Sequence, residues 1–180
     1  MVLSGDIILK HSLWNNVDED FGNIFKRNVD LFIVACAIGI KEDKIIDNET
    51  GMEDDKVKSI GRSTYLMKNE DLANIITFMF QNAVLNSKQI DFDNETRMRL
   101  AFDPDFPDAK SKISFSPTNF LVKFATYGLQ KIYDLKEENK VDTYFIVALT
   151  ELLESIGEND YSDVLSEIDR EIEEFKKTQA

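Results

Sequence analysis

The chain offers few residues with which to do covalent chemistry. A nucleophilic mechanism needs a Ser or Cys beside a base, usually His, and the sequence holds one His, His11, and one Cys, Cys36. Cys36 lies in the most apolar stretch, where burial raises a thiol's pKa and leaves it inert. No GxSxG elbow is present. One Cys forbids an internal disulfide and any CxxC zinc or redox pair, and one His forbids a pair of imidazole ligands. The glycine-rich phosphate loops, GxGxxG and GxxxxGK followed by Ser or Thr, do not occur. Gly61-Arg62-Ser63-Thr64 sets an amide and two hydroxyls beside an Arg, which could hold one anion; a plain turn is the stronger reading.

Carboxylates are the remaining reagent. Asp91, Asp93 and Glu95 alternate as in a calcium loop, but Thr96 stands where that loop needs Gly and no Glu closes it at the twelfth position. Asp105, Asp108 and Lys110 carry the letters of a metal-dependent nuclease, yet three residues cannot turn a strand, and Pro104 and Pro107 oppose strands. A glycosidase-type pair cannot be singled out among 34 acids. The sequence therefore assigns no catalytic residue, no cofactor and no metal ligand, and an enzyme built on carboxylates and a metal is the least favoured reading.

The charge itself is informative. The 180 residues carry 34 Asp and Glu against 21 Lys and Arg, a net charge of −13. Binding of bare nucleic acid is driven by cations displacing counterions, so direct nucleic-acid binding is not expected. From residue 141 onward there are 11 acids and three bases, Arg170, Lys176 and Lys177. A solvated face that keeps the protein soluble accounts for such a run. An acidic helical surface can also steer a basic protein partner, and Glu167, Glu171, Glu173 and Glu174 are the residues that would meet it. A variant of that idea is an acidic DNA mimic that inhibits a nucleic-acid enzyme.

These residues need elements to position them. Scarce Gly and Pro, 7 and 3 residues, disfavour an all-β fold. A chain of this length buries about 70% of its unfolded surface, and 13 Phe supply bulky anchors. Residues 1–20 read as irregular, with Ile7–Leu9 a short buried strand and Asp18-Glu19-Asp20 an acidic run. Asn28 reads as an N-cap, and residues 29–38 as a helix apolar on all sides and so covered on most of them. Gly39 fits its left-handed stop.

Residues 41–56 read as a charged loop holding Glu53-Asp54-Asp55, and 57–67 as a small hairpin around Gly61-Arg62. Asn69 reads as the cap of an amphipathic helix with Leu72, Ile75, Ile76, Met79, Phe80, Ala83 and Val84 inward. Residues 91–102 fit a short helix or a strand. Ser116-Pro117 opens a helix with Phe120, Leu121, Phe124, Tyr127, Gly128, Ile132 and Leu135 inward. Asp142 caps the next, with Phe145, Ile146, Leu149, Leu152, Leu153 and Ile156 inward and Gly157 as its stop; the short link makes the two antiparallel neighbours. A last helix at 161–177 would expose Glu167, Asp169, Glu171, Glu173 and Glu174. The expectation is one mainly α-helical domain over 1–180, of five or six helices with a small β-hairpin. The longest apolar run is Leu31–Ile38, short of the about 20 residues of a membrane span. The start shows no basic n-region before a long apolar stretch, so a cytoplasmic protein is expected.

Residues 24–41, IFKRNVDLFIVACAIGIK, resemble a stretch of small accessory proteins of bacterial phage-defence cassettes, of the DNA-phosphorothioation-associated or ATPase three-component type. The shared features are an aromatic before the cap, DLF opening a buried helix, small residues in its middle and a Gly-aliphatic-Lys ending. Leu121–Ile132, with Tyr127-Gly128, echoes it. The resemblance covers about a tenth of the chain and excludes the acidic end. It implies a non-catalytic partner protein of a defence complex and carries over no site residue.

Overall fold

The computed structural model describes residues 5–49, 57–67, 70–103 and 115–157. The fold is built around one helix that is apolar on nearly every side. Helix α2, Asn28–Glu42, buries Val29, Leu31, Phe32, Ala35, Cys36, Ile38 and Gly39. Such a helix has to be enclosed, and its main cover is helix α5, Pro117–Glu138. Ser116 and Pro117 open α5 as the sequence predicts, with Ser116 Oγ accepting from the Asn119 amide at 3.3 Å. The two helices run antiparallel and touch backbone to backbone. A Cβ on Gly39 would lie 2.1 Å from the Phe124 carbonyl oxygen, and one on Gly128 would lie 1.8 Å from the Ala35 carbonyl oxygen.

This contact corrects the reading of Gly39 as a helix stop. Gly39 lies within α2, where its missing side chain admits α5. The left-handed residue is Asp43, at φ 49° and ψ 47°. Asp tolerates that region because its side chain bonds locally, and here the whole residue is held. Its amide reaches the Gly39 and Ile40 carbonyls. Its carboxylate accepts from Ser87 Oγ at 2.5 Å and the Lys88 amide at 3.0 Å. Asn28 is likewise the first residue of α2 and not its cap; Arg27 precedes it in extended conformation without a side-chain cap bond.

The other elements close around this pair. Strands β1, Ile7–Leu9, and β2, Lys58–Ile60, form the small antiparallel sheet, with Ile7 opposite Ile60 and Leu9 opposite Lys58. The sheet is therefore long-range: β2 pairs with the N-terminal strand, and residues 63–67 form a π-helical turn instead of the hairpin's second arm. Within residues 1–20, read as irregular, lie a 3-10 turn, Ser12–Trp14, and most of a short helix α1, Val17–Phe21. Trp14 is fully buried, and its indole N–H donates to Thr126 Oγ1 at 3.2 Å. Thr126 in turn donates to the Val122 carbonyl at 2.8 Å, so both buried polar groups are satisfied.

Helix α3, Glu70–Asn86, is amphipathic as expected, burying Leu72, Ala73, Ile76, Phe80, Ala83 and Val84. The expected cap, Asn69, lies outside the described residues. Residues 94–102 form helix α4, capped by Asp93, whose side chain accepts from the Thr96 amide at 2.7 Å. Arg97 of α4 ties the join. Its guanidinium donates to the carbonyls of Val84, Ser87, Ile90 and Phe92 at 2.6–2.9 Å, satisfying one acceptor that the last turn of α3 leaves open and three in the link to α4. Helix α6, Asp142–Gly157, packs on α5 and α2. A run of rings from Phe124 through Phe120 and Phe115 to Phe80 and Phe92, with centroids 5.0–6.3 Å apart, joins α5 to α3.

The glycine contact gives the first prediction. Gly39→Ala or Gly128→Ala pushes a methyl into fixed backbone, at the upper end of the about 1–3 kcal/mol of overpacking or beyond it. Gly61→Ala, whose Cβ would meet nothing nearer than Ser63 Oγ at 3.8 Å, changes stability by less than about 0.5 kcal/mol. Urea unfolding midpoints of the three variants measure the contrast.

Candidate functional site

The residues best able to do chemistry are each occupied structurally. Cys36 is fully buried, and its thiol faces the Leu121 carbonyl at 3.7 Å. Burial pushes that thiol's pKa far above its ordinary value. His11 caps the 3-10 turn: Nδ1 accepts from the Leu13 amide at 3.2 Å, and Nε2 lies 3.5 Å from Glu49 Oε1. The Gly61–Thr64 turn does hold an anion, but it is the chain's own, since the Arg62 amide donates to Asp6 Oδ1 at 2.7 Å. Asp93 serves as the cap of α4. Among the described residues no three His, Cys, Asp or Glu side chains gather as metal ligands would. The Asp105, Asp108 and Lys110 segment lies outside the described residues.

Many acids are spent on internal ties. Asp18, in the acidic run 18–20, pairs with Lys58 of β2, which with a bond to Asn28 lowers its pKa. Asp20 accepts from Tyr133 Oη at 2.9 Å and lies 3.7 Å from Lys136 Nζ, whose ammonium also covers the Phe21 ring. Glu42 accepts from Tyr127 Oη at 2.5 Å, Glu49 from Ser12 Oγ at 2.6 Å, and Asp47 pairs with Lys123 at 2.5 Å. The bonds from Tyr127 and from Ser12 hold the pKa of Glu42 and of Glu49 down. The ties of Asp20, Glu42 and Asp47 reach α5, while that of Asp18 joins α1 to β2 and that of Glu49 joins the 3-10 turn to the segment after α2.

Helix α6 is different. It carries Asp142, Glu151 and Glu154 and no Lys or Arg. Among the described ion pairs none reaches Glu151 or Glu154. Its outer side also leaves large apolar groups in water: Tyr144 is 65% exposed, Val147 51% and Ile146 46%. Tyr144, Val147, Glu151 and Glu154 follow one another at intervals of three, four and three residues, the spacing of a single stripe. On α3, Phe78 is 66% exposed and Ile75 43%. Ile75 and Ile146, both expected inward, are thus corrected. Each lies at the margin of its apolar stripe, and the neighbouring helices cover only the centre, Ile76 and Phe80 on α3 and Phe145 and Leu149 on α6. Phe78 and Met79 of α3, Ala37 and Ile40 of α2 and Ile156 of α6 line a groove of about 360 Å³. A polar cleft of about 290 Å³ lies on the α1–α5 side, lined by Ser12, Asn16, Asp20, Gln130, Tyr133 and Glu137.

The sequence-predicted partner residues Glu167, Glu171, Glu173 and Glu174 lie outside the described residues. On α6 the sequence reading places Ile146 inward because an apolar side chain in a helical repeat is assigned to the buried face; Tyr144 and Val147 fall outside the inward set, and nothing in the sequence marks them as a contact surface. No family model, curated protein or solved structure matches the chain. Among the described residues no helix is long and apolar enough to cross a membrane.

Two predictions follow from the buried and paired groups. Cys36 will react with a thiol reagent such as Ellman's only as fast as the protein opens, so its labelling rate will track unfolding in urea and not thiolate formation. Stability will also fall at both ends of the pH scale. Glu42, Glu49 and Asp18 have folded pKa values below those of the unfolded chain. Their contribution is full above the unfolded range of about 4. It is lost as pH falls through the lower folded values. Tyr65 and Tyr133 are shifted up, chiefly by burial. Their contribution is full below about 10 and is lost as pH rises toward the folded values. Urea midpoints measured across pH will show both falls, and Tyr133→Phe will soften the alkaline one.

Proposed function

We propose that the chain is a non-enzymatic interaction subunit that presents an acidic helical surface to a protein partner. The observation that carries this reading is the outer side of α6, where exposed Tyr144 and Val147 adjoin Glu151 and Glu154, which meet no cation among the described residues. Exposed large apolar groups framed by charge mark contact surfaces on otherwise buried folds. The employment of His11, Cys36 and Asp93 in capping and packing supports the same reading, since each is drawn away from a reacting role. The net charge of −13 favours a basic partner, including one that itself binds nucleic acid.

We place the subunit in the cytoplasm, in a bacterial or phage defence-related complex. That setting draws on the resemblance of residues 24–41, whose side chains here build the α2–α5 contact. The test is affinity purification of the tagged chain from its native cells. The expected result is one stoichiometric partner with a basic surface, released as salt rises. Recovery of the chain alone at low salt would overturn the reading.

A further inference from the structure

We infer that α6 is the docking ridge and that its occupant is a basic amphipathic helix of another protein; the inference rests on the interaction reading above and names the class of partner for that surface. The stripe on α6 has two halves. Tyr144 and Val147, flanked by Val141 at 54% exposure, make an apolar half near the start of the helix. Glu151 and Glu154 make an acidic half toward its end, where the backbone carbonyls of a helix terminus add partial negative charge. From Tyr144 to Glu154 the stripe is about 15 Å long, at about 1.5 Å per residue.

A ligand that matches both halves at once is another helix of about three turns. It would set two apolar side chains, three or four residues apart, on Tyr144 and Val147. It would set Lys or Arg one to two turns further along, beside Glu151 and Glu154. Helices recognised in this way are read at intervals of three, four and seven residues, which are the intervals of the ridge itself.

A second copy of this chain fits poorly. Packed antiparallel, two ridges would press Glu151 and Glu154 of each copy onto Tyr144 and Val147 of the other, burying carboxylates without cations. Packed parallel, they would bring four carboxylates together. A basic helix meets neither obstacle, because its cations neutralise the acidic half as its apolar residues cover the other.

The test uses the full chain and three fluorescent helical peptides. One has two Leu three residues apart at one end of a helical face and Lys one to two turns further along that same face; one has the same composition scrambled; one has Glu in place of Lys. Fluorescence anisotropy gives the affinities. The Leu/Lys peptide is expected to bind, with the scrambled and Glu peptides at least about tenfold weaker. Val147→Ser and Tyr144→Ser should each weaken it about tenfold, more than truncation of most interface residues does. Glu151→Gln with Glu154→Gln should weaken it and flatten its salt dependence. All four positions are exposed, so circular dichroism and urea midpoints should stay at wild-type values. Equal binding of the scrambled peptide would reduce the effect to bulk charge and overturn the inference. So would binding that survives every α6 substitution; hydrogen exchange would then show the protected face, and protection on α3 would leave the interaction reading standing while removing α6. Sedimentation showing a dimer that Val147→Ser dissolves would make the occupant a second copy and overturn the inference too.

Discussion

The closeness of α2 to α5 is the constraint on which the rest of the molecule depends. Gly39 and Gly128 each face a carbonyl oxygen of the opposite helix at a distance no side chain could occupy. That contact fixes the position of every group on the two helices. It sets Cys36 against Leu121 and places Thr126 where the indole of Trp14 can reach it. Because α2 is apolar on almost all sides, one partner does not suffice. α3 and α6 complete the cover, and the N-terminal segments close over α5. Closest approach gives this pair its dispersion contacts, which are individually small and collectively large.

Charge plays two separate parts around that core. On the N-terminal and α5 side, acids are matched to Lys and Tyr on neighbouring elements, as with Asp18 and Lys58 or Glu42 and Tyr127. These links are exposed or half-exposed and individually weak; their effect is to set where the loops lie. On α6 the acids meet no such partners among the described residues and stand beside apolar groups. The acid excess is thus not one property of the chain: part of it holds the fold's outer segments, and part is left facing outward.

The sequence was most legible where a local signal has one meaning. Ser116-Pro117 opens a helix and little else, and the repeat of Leu72, Ile76, Phe80 and Ala83 gives α3. It was least legible where one residue serves two purposes. A glycine after an apolar run reads as a stop, yet the same absence of a side chain admits a neighbouring helix, and only the presence of Phe124 separates the two. Strand character was visible at both 7–9 and 58–60, but the pairing of these distant segments leaves no local trace. Arg97, which organises the turn between α3 and α4, looks in sequence like any surface cation. The inertness of Cys36 was readable from its apolar neighbours. The exposure of Ile146 was not, because an apolar repeat says which face can be buried and not how far a neighbour extends over it.

The enclosure of α2 also has a consequence for the order of synthesis. Cys36 and the carbonyl it meets, that of Leu121, are 85 residues apart. At about 5–20 residues per second, a ribosome takes roughly 4–17 s to cover that distance. Throughout that interval the greasiest helix of the protein has emerged without the element that shields it. The nascent chain therefore passes through a stage that invites capture by holdase chaperones, and slowing translation between residues 42 and 117 lengthens it.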